Sequence, residues 1–418
     1  MSDALNVYLG TEKVGRLWLG EGRRFSFQYD KNWLACDHAV PLSIALPLRP
    51  EVYPDDTARP FFANLLPESE LRKIIARRLG LSEGNDFALL EAIGGECAGA
   101  VTLLPEGSQL SNAGEYRQLS DDELNALIRE LPKRPMLAGD AGIRLSLAGV
   151  QNKLPVFYDE AKDVVCLPMG NAASAQILKP NILYYPHTVE NETFCMQLAG
   201  KMGLPVPEAT ILHKEQNLYL VRRYDRKVNA SGVVERFHQE DFCQALGLAP
   251  DMKYEKEGGP SLKACFDLLR NISVTPVVDI KALLAWVVFN YLIGNADAHG
   301  KNISLLYSDL GPGLAPFYDL MSTTVYPDLT EKMAMRIGGE DRPQWIMTRH
   351  WEQFASDVGV GFKIVRQLLQ EMSEKIMVES ATLKKDFIEQ HGESEVINKI
   401  ITDIEQRAKK TLSRLESK

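Results

Sequence analysis

The stretch GNADAHGKNISLLY, residues 294–307, follows the apolar run ALLAWVVFNYLIG (Ala282–Gly294) and presents Asn295, Asp297, His299, Lys301 and Asn302 in quick succession. The run reads as a buried helix, since a membrane-spanning helix needs roughly 20 apolar residues. Beyond the polar residues the chain continues through ISLLY, which reads as a strand, and turns at SDLGPG. It returns through LAPFYDLMST, read as a second strand carrying Asp319. Such a hairpin brings Asn302, near the start of one strand, close to Asp319, near the end of the other.

Magnesium takes oxygen ligands, commonly one or two protein groups together with phosphate oxygens and water. Asn302 and Asp319 supply two such ligands, which leaves Asp297 free to orient a hydroxyl nucleophile. Kinase catalytic loops divide the labour in this way, with D-x-x-x-x-N followed by a metal-binding aspartate across a hairpin. The same spacing is also ordinary turn chemistry, because Asp and Asn bond their own backbone locally. The later aspartate, at hairpin distance, favours a site.

A nucleotide site needs phosphate contacts upstream. SLAGVQNKLPVF places Ala148 and Gly149 ahead of Val150, Gln151, Asn152 and Lys153, a loop able to present backbone N–H groups to phosphate. It is neither a Walker A sequence nor G-x-G-x-x-G, and a plain hairpin turn is the alternative. Lys179 ends the strand AQILK, a place from which a point charge could reach the α- and β-phosphates, or where a lysine is simply solvated. Glu192, near the start of the next helix, is placed to pair with it or simply to favour the helix dipole. The strand NLYLVRRYD runs into Arg222, Arg223 and Tyr224, the position of a hinge that reads adenine through its backbone.

The whole chain is ordinary in bulk. Its 418 residues are 45% hydrophobic and 25% charged, with a formal net charge of −9, which argues against a general nucleic-acid coat protein. Cys36, Cys97, Cys166, Cys195, Cys243 and Cys265 form no CxxC pair, and no HExxH occurs. Free thiols in a reducing cytoplasm are expected, not a disulfide frame or a zinc hydrolase. MSDALNVYLG lacks the basic start and apolar run of a signal peptide.

NVYLGTEKVGRLWLGEGRRFSFQY alternates as an antiparallel meander does. RPFFANLLPESELRKIIARRLGL then takes helical spacing at Leu71, Ile74, Ile75 and Leu79, with a stop at Gly80. Residues 106–144 turn polar and read as a connection with one helix, where Ser120 and Glu123 form a capping box. After Arg236 the pattern is nearly all helical, ending in a helix from Glu395 with a stripe of Ile397, Ile400, Ile401, Ile404, Ala408 and Leu412. The expected division is 1–105, a strand-rich N-terminal subdomain; 106–144, a connection; 145–235, a nucleotide-binding lobe; and 236–418, a helical lobe. The fold class is α+β, two-lobed and kinase-like.

Together SLAGVQNK, ILKP, NETFCMQLAGKMGLPVPEATI, RRYDR, HQEDFCQALG, GGPSL, NYLIGNADAHGKNIS and APFYDL resemble, in order, the motifs of the HipA family of bacterial serine/threonine kinases. VGRLWL, PFFANLLPES and GAVTLLP resemble that family's small N-terminal subdomain, so the resemblance covers nearly the whole chain. It implies a kinase that uses ATP and Mg2+ and serves as the toxin of a toxin–antitoxin module. The resemblance assigns catalysis to Asp297, magnesium to Asn302 and Asp319, and the phosphates to Ala148–Lys153 and Lys179. It assigns the hinge to Arg222–Tyr224, and places His299 and Tyr318 in nucleotide-contacting motifs. Ser146 matches a serine whose autophosphorylation ejects the phosphate loop and silences the kinase. The implied partner is a small helix-turn-helix antitoxin, through which operator DNA is reached, and the substrate in well-studied members is glutamyl-tRNA synthetase. A departure is Arg222, where the best-known member's hinge is acidic. Two other readings share the fold: a co-repressor that mainly binds the antitoxin, and a kinase of a small molecule or lipid.

Overall fold

The computed structural model describes residues 4–108, 110, 114–140, 143–230 and 232–416. The alternating start forms β1 (Ala4–Leu9), β2 (Glu12–Leu19) and β3 (Phe25–Tyr29), an antiparallel meander that β4 (Val101–Pro105) joins along β1. Alternation sends Leu5, Val7, Leu17, Phe25 and Phe27 to one buried face. Three helices cover that face: α1 (Asp55–Ala63), α2 (Ser69–Leu79) and α3 (Asp86–Ile93), through Phe61, Phe62, Ile75, Phe87 and Leu90. Gly80 ends α2 at φ +67, the left-handed cap that glycine reaches without strain.

Residues 106–144 do more than connect. They supply β5 (Gly114–Gln118), an edge strand, and α4 (Asp121–Glu130), whose capping box forms both of its hydrogen bonds. Leu124 and Ile128 of α4 pack into the same core as Leu154, Val156 and Val165. The edge strand escapes a periodicity argument because GEYRQ is polar; only Tyr116 packs, at 4.6 Å from Phe157.

The sheet that β5 borders contains β6 (Leu154–Asp159), β7 (Val164–Gly170), β8 (Gln176–Lys179), β9 (Ala209–His213) and β10 (Asn217–Arg222), in the order β5-β7-β6-β8-β10-β9. Between β8 and β9 runs α5 (Thr188–Met202), buried along most of its length and stopped by Gly203 at φ +91. Register sets Lys179 opposite Tyr219, at the end of an interior strand.

A hairpin, β11 (Arg226–Val228) and β12 (Val234–Arg236), leads into the second lobe. Its helices are α6 (Leu262–Ile272), α7 (Pro276–Ile293), α8 (Thr348–Asp357), α9 (Phe362–His391) and α10 (Glu395–Glu416). With 18 residues at mean hydropathy 1.6, α7 is long and apolar enough to cross a membrane, yet it is 61% buried and packs on α6, α9 and α10. It is the core helix that the apolar run promised. The stripe of α10 packs on α9, with Ile397, Ile400, Ile404 and Ala408 buried and Leu412 only half-buried.

β14 (Ser304–Ser308) and β15 (Gly311–Leu314), which follow α7, form a three-stranded sheet with β13 (Gln239–Asp241), which precedes α6, in the order β13-β14-β15. The returning strand is thus shorter and earlier than LAPFYDLMST suggests. Ser308 pairs with Gly311, which takes φ +120, so the reversal occupies two residues. Ala315 N–H still reaches Ser304 O, but Pro316 has no N–H to give and Phe317 N–H turns to Pro205 O.

Candidate active site

Each polar residue of 294–307 has a specific employment. Gly294 caps α7 at φ +72, and a Cβ there would sit 2.3 Å from Thr324 Oγ1. Buried Asn295 donates to Asn290 Oδ1 (2.8 Å) and accepts from Asp297 N–H (3.1 Å). That turn pushes the Asp297 carboxylate out into the cleft, where Tyr254 donates its hydroxyl to Oδ1 at 2.6 Å. His299 Nδ1 accepts from Lys301 N–H (3.3 Å), and burial pushes the imidazole down to about 4, which keeps it neutral near pH 7. Asn302 accepts from His299 N–H and donates to Asp319 Oδ2, both at 3.1 Å.

Asp319 takes φ +59, a left-handed conformation uncommon outside glycine and of the kind retained at functional sites. It aims Oδ1 at Lys179 Nζ, 2.9 Å away, and Lys179 also donates to Glu192 Oε1 of α5 at 2.7 Å. The Lys179 ammonium beside it holds the Asp319 carboxyl well below the usual range. β8, α5 and the segment after β15 therefore converge on one ammonium group.

Across the cleft, Lys153 Nζ donates to Ala148 O (2.6 Å) and folds over Gly149. Gly149 sits at φ +115, a backbone conformation that L side chains rarely adopt and that glycine takes without strain. Burial and the nearby Lys179 push Lys153 down to about 8. Of the expected residues, Ala148, Gly149, Val150, Lys153, Lys179, Arg222, Arg223, Tyr224, Asp297, His299, Asn302, Tyr318 and Asp319 line this cleft. Gln151, Asn152 and Ser146 are not in its wall. Gln151 donates to Pro180 O (3.2 Å), and Ser146 is fully buried, donating its hydroxyl to Leu65 O at 2.7 Å.

The hinge residues diverge. Arg222 points outward to Glu160 (2.7 Å) and Glu208 (3.2 Å). The Arg223 guanidinium enters a buried cluster with Asp225 (2.8 Å), Glu96 (3.3 Å) and Arg226, whose own guanidinium lies 3.0 Å from Asp225. Tyr224 stacks on Tyr318 at 5.5 Å and donates to Gln239 (2.6 Å), while Tyr318 donates to Lys301 O (2.6 Å).

Sequence reasoning gave no role to Asn64, Glu68, Lys253 or Lys301, which line the cleft, nor to Tyr254, which bonds Asp297 from beside it. Burial alone would raise the Glu68 carboxyl, but Lys301 and Lys253 hold it down to about 2. Its signal was PFFANLLPES, which contains both Asn64 and Glu68.

Asp319 and Asn302 present a carboxylate and a carboxamide side by side. Among the described residues no group of three or more His, Cys, Asp or Glu forms a metal cage. A carboxylate at the cleft wall with a carboxamide beside it, its oxygen held by His299 N–H, is a hard donor set that fits Mg2+, which keeps waters and phosphate oxygens in its shell.

A family model described as the HipA-like C-terminal domain matches residues 145–380, and one described as the HipA N-terminal domain matches residues 5–127. The chain belongs to the HipA family. Among HipA-related proteins, Y4mE of Sinorhizobium fredii is 42% identical over 413 residues, 97% of each chain. The serine/threonine-protein kinase toxin HipA of Shewanella oneidensis is 32% identical over 396 residues, 90% of this chain and 89% of that one. A solved structure of Shewanella oneidensis HipA with HipB and its operator DNA superposes with a TM-score of 0.84 at 30% identity, covering 99% of this chain and 98% of that one. The present chain is accordingly a HipA-like kinase of the serine/threonine class, and its α+β architecture is the two-lobed HipA kinase fold.

Proposed function

We propose that this HipA-like kinase transfers the γ-phosphate of ATP to a serine or threonine hydroxyl of a translation protein, an aminoacyl-tRNA synthetase such as glutamyl-tRNA synthetase being the first candidate. It acts as the toxin of a two-component module whose partner is a small helix-turn-helix antitoxin, with operator DNA reached mainly through that partner. Such a substrate puts the reaction in the cytoplasm. The observation that carries this reading is the Lys179–Glu192 pair formed beside Asp319, with Asp297 facing the same cleft under the Tyr254 hydroxyl. In protein kinases that lysine–glutamate pair and the metal-binding aspartate must both be in place.

In this reading Lys179 and Lys153 bind the phosphates, the 148–153 loop cradles them, and the backbone of 222–224 meets the adenine. His299, neutral, borders the nucleotide without adding charge. Asp319 and Asn302 hold Mg2+, which when bound offsets the charge of the phosphates. Asp297 accepts the proton of the acceptor hydroxyl after Tyr254 yields its place. Catalysis is then mostly positioning and charge neutralisation. Ser146 is the autophosphorylation site; because its hydroxyl is buried against Leu65 O, the loop must swing out before it can react. Phosphorylation adds a charge of about −1.5 to −2, which keeps the loop from returning to a phosphate site.

The test is incubation with radiolabelled ATP and bacterial lysate, alongside Asp297→Asn. Labelling of protein by the wild type alone supports the reading. No transfer to lysate protein or to Ser146 ends it, and label confined to lipid or metabolite redirects it to the small-molecule alternative.

A further inference from the structure

Glu68 belongs to the first subdomain, yet its carboxylate stands in the wall of the nucleotide cleft. Oε2 lies 3.0 Å from Lys253 Nζ and Oε1 lies 3.3 Å from Lys301 Nζ. The three side chains keep only 10%, 14% and 5% of their exposure. Both lysines belong to catalytic elements. Lys253 precedes Tyr254, the partner of Asp297, and its carbonyl takes the Gly300 N–H at 3.3 Å. Lys301 lies between His299 and Asn302 and donates also to Asn64 Oδ1 at 2.5 Å.

The same connector grips the opposite wall. Glu68 N–H donates to Gly149 O (3.2 Å), and Leu65 O receives the Ser146 hydroxyl (2.7 Å). The second lobe anchors it further, through Asn64 Nδ2 to Leu248 O (2.8 Å) and Gln244 Nε2 to Phe61 O (3.0 Å). Residues 64–68 thus hold the phosphate loop and the catalytic loop at once. A carboxylate in this wall repels a triphosphate, so its contribution has to come from something other than nucleotide binding.

We propose that Glu68 is a positioning residue for phosphoryl transfer: by bridging Lys253 and Lys301 it fixes the loop that carries Asp297 and Asn302, at some expense of ATP affinity. The proposal rests on the kinase reading above. It makes the N-terminal subdomain a working part of the active site, because among the described residues Glu68 pairs with both lysines, whereas Asp241 of the second lobe reaches Lys301 (3.4 Å).

The experiment compares wild type, Glu68→Gln and Lys253→Met as full-length proteins, each measured for ATP affinity by calorimetry with Mg2+, for rate at saturating ATP, and for melting temperature. A neutral side chain of the same shape should bind ATP as tightly as wild type or several-fold more tightly. Its saturated rate should nevertheless fall about 10- to 100-fold, the order expected when a reacting group is misplaced by a fraction of an ångström to an ångström. Lys253→Met should reproduce the loss of rate, and the double variant should add little to it. Glu68→Asp, which keeps the charge, should recover part of the rate. The proposal is overturned by an unchanged rate in Glu68→Gln, or by rate, affinity and melting temperature falling together. If Glu68→Gln does not fold, additive losses in Glu68→Asp and Lys253→Met overturn it, and non-additive losses uphold it. A wild type that labels no protein defeats the kinase reading beneath it, whereas an active wild type with an equally active Glu68→Gln defeats only the role of Glu68.

Discussion

Two clusters in this molecule are built from the same ingredients and put to opposite uses. Around Lys179, the carboxylates of Glu192 and Asp319 share one ammonium group at a cleft wall, and the Asp319 side chain is 45% exposed. Around Arg223, the carboxylates of Glu96 and Asp225 share two guanidinium groups, and none of the four side chains exceeds 5% exposure. The first cluster is open toward the cleft. The second is closed, and it fastens the first subdomain to the hinge. Charge composition therefore does not separate a site from a strut; access does.

The widest gap between the clusters should appear in Asp297→Asn. The open cluster stays formed, so ATP affinity and melting temperature should hold while the rate of transfer drops between about 100- and 10,000-fold, the span of general-base contributions. Single-turnover kinetics with labelled ATP, beside calorimetry, would expose a drop smaller than tenfold and so break the assignment.

Arg223→Met should do the reverse. It leaves Asp225 with Arg226 alone in a buried site, and removing one partner of such a set costs about 3 to 5 kcal/mol. Urea denaturation at pH 6 reads this directly. Acid sharpens the test. Arg223 and Arg226 hold the Asp225 carboxyl down to about 2 against the effect of burial, so its stabilisation is full above pH ~4 and is lost as pH falls toward 2. The wild type should weaken steeply across that window, and Arg223→Met, already missing the interaction, should weaken less.

A smaller effect belongs to Lys153. Its ammonium, pushed down to about 8, is charged below that pH and neutral above it, so ATP affinity should fall by at most about one decade per pH unit above pH 8. Lys153→Arg should flatten that limb in a titration from pH 7 to 9.5; an identical slope in both proteins would remove Lys153 from phosphate binding. Least of all, Arg222→Ala should change unfolding free energy by less than about 1 kcal/mol, because its pairs with Glu160 and Glu208 lie at an exposed surface. Adjacent arginines would then differ several-fold in their value to the fold.

That adjacency shows where the sequence stops being legible. The helix before residues 294–307, the strand-end Lys179 and the capping box at Ser120 follow from local period and spacing, and the chain folds accordingly; the hairpin after 294–307 forms too, but its returning strand is Gly311–Leu314 and not LAPFYDLMST. Asp225, inside RRYD itself, takes two hydrogen bonds from Arg223 (2.9 and 2.8 Å), but nothing local shows that this pair is buried, since Glu96, 127 residues away, completes the cluster. Glu68 and Lys301 are 233 positions apart in sequence, too far for any periodicity to join them. Tyr254 on Asp297 is a contact of the same kind, made by a loop that carries no pattern. Elements were readable because they are local; the site's second half was not, because tertiary packing selects it.

Glu96 and Glu68 also have a joint consequence. Both acidic groups lie ahead of residue 106, and the bases they answer, Arg223, Arg226, Lys253 and Lys301, all lie beyond residue 144. A chain nicked between those limits would separate into two pieces whose buried charges are only partly answered within each, since Asp225 and Asp241 stay with the bases while Glu68 and Glu96 leave them. The two pieces, produced together, have the makings of a split enzyme that reassembles by complementation.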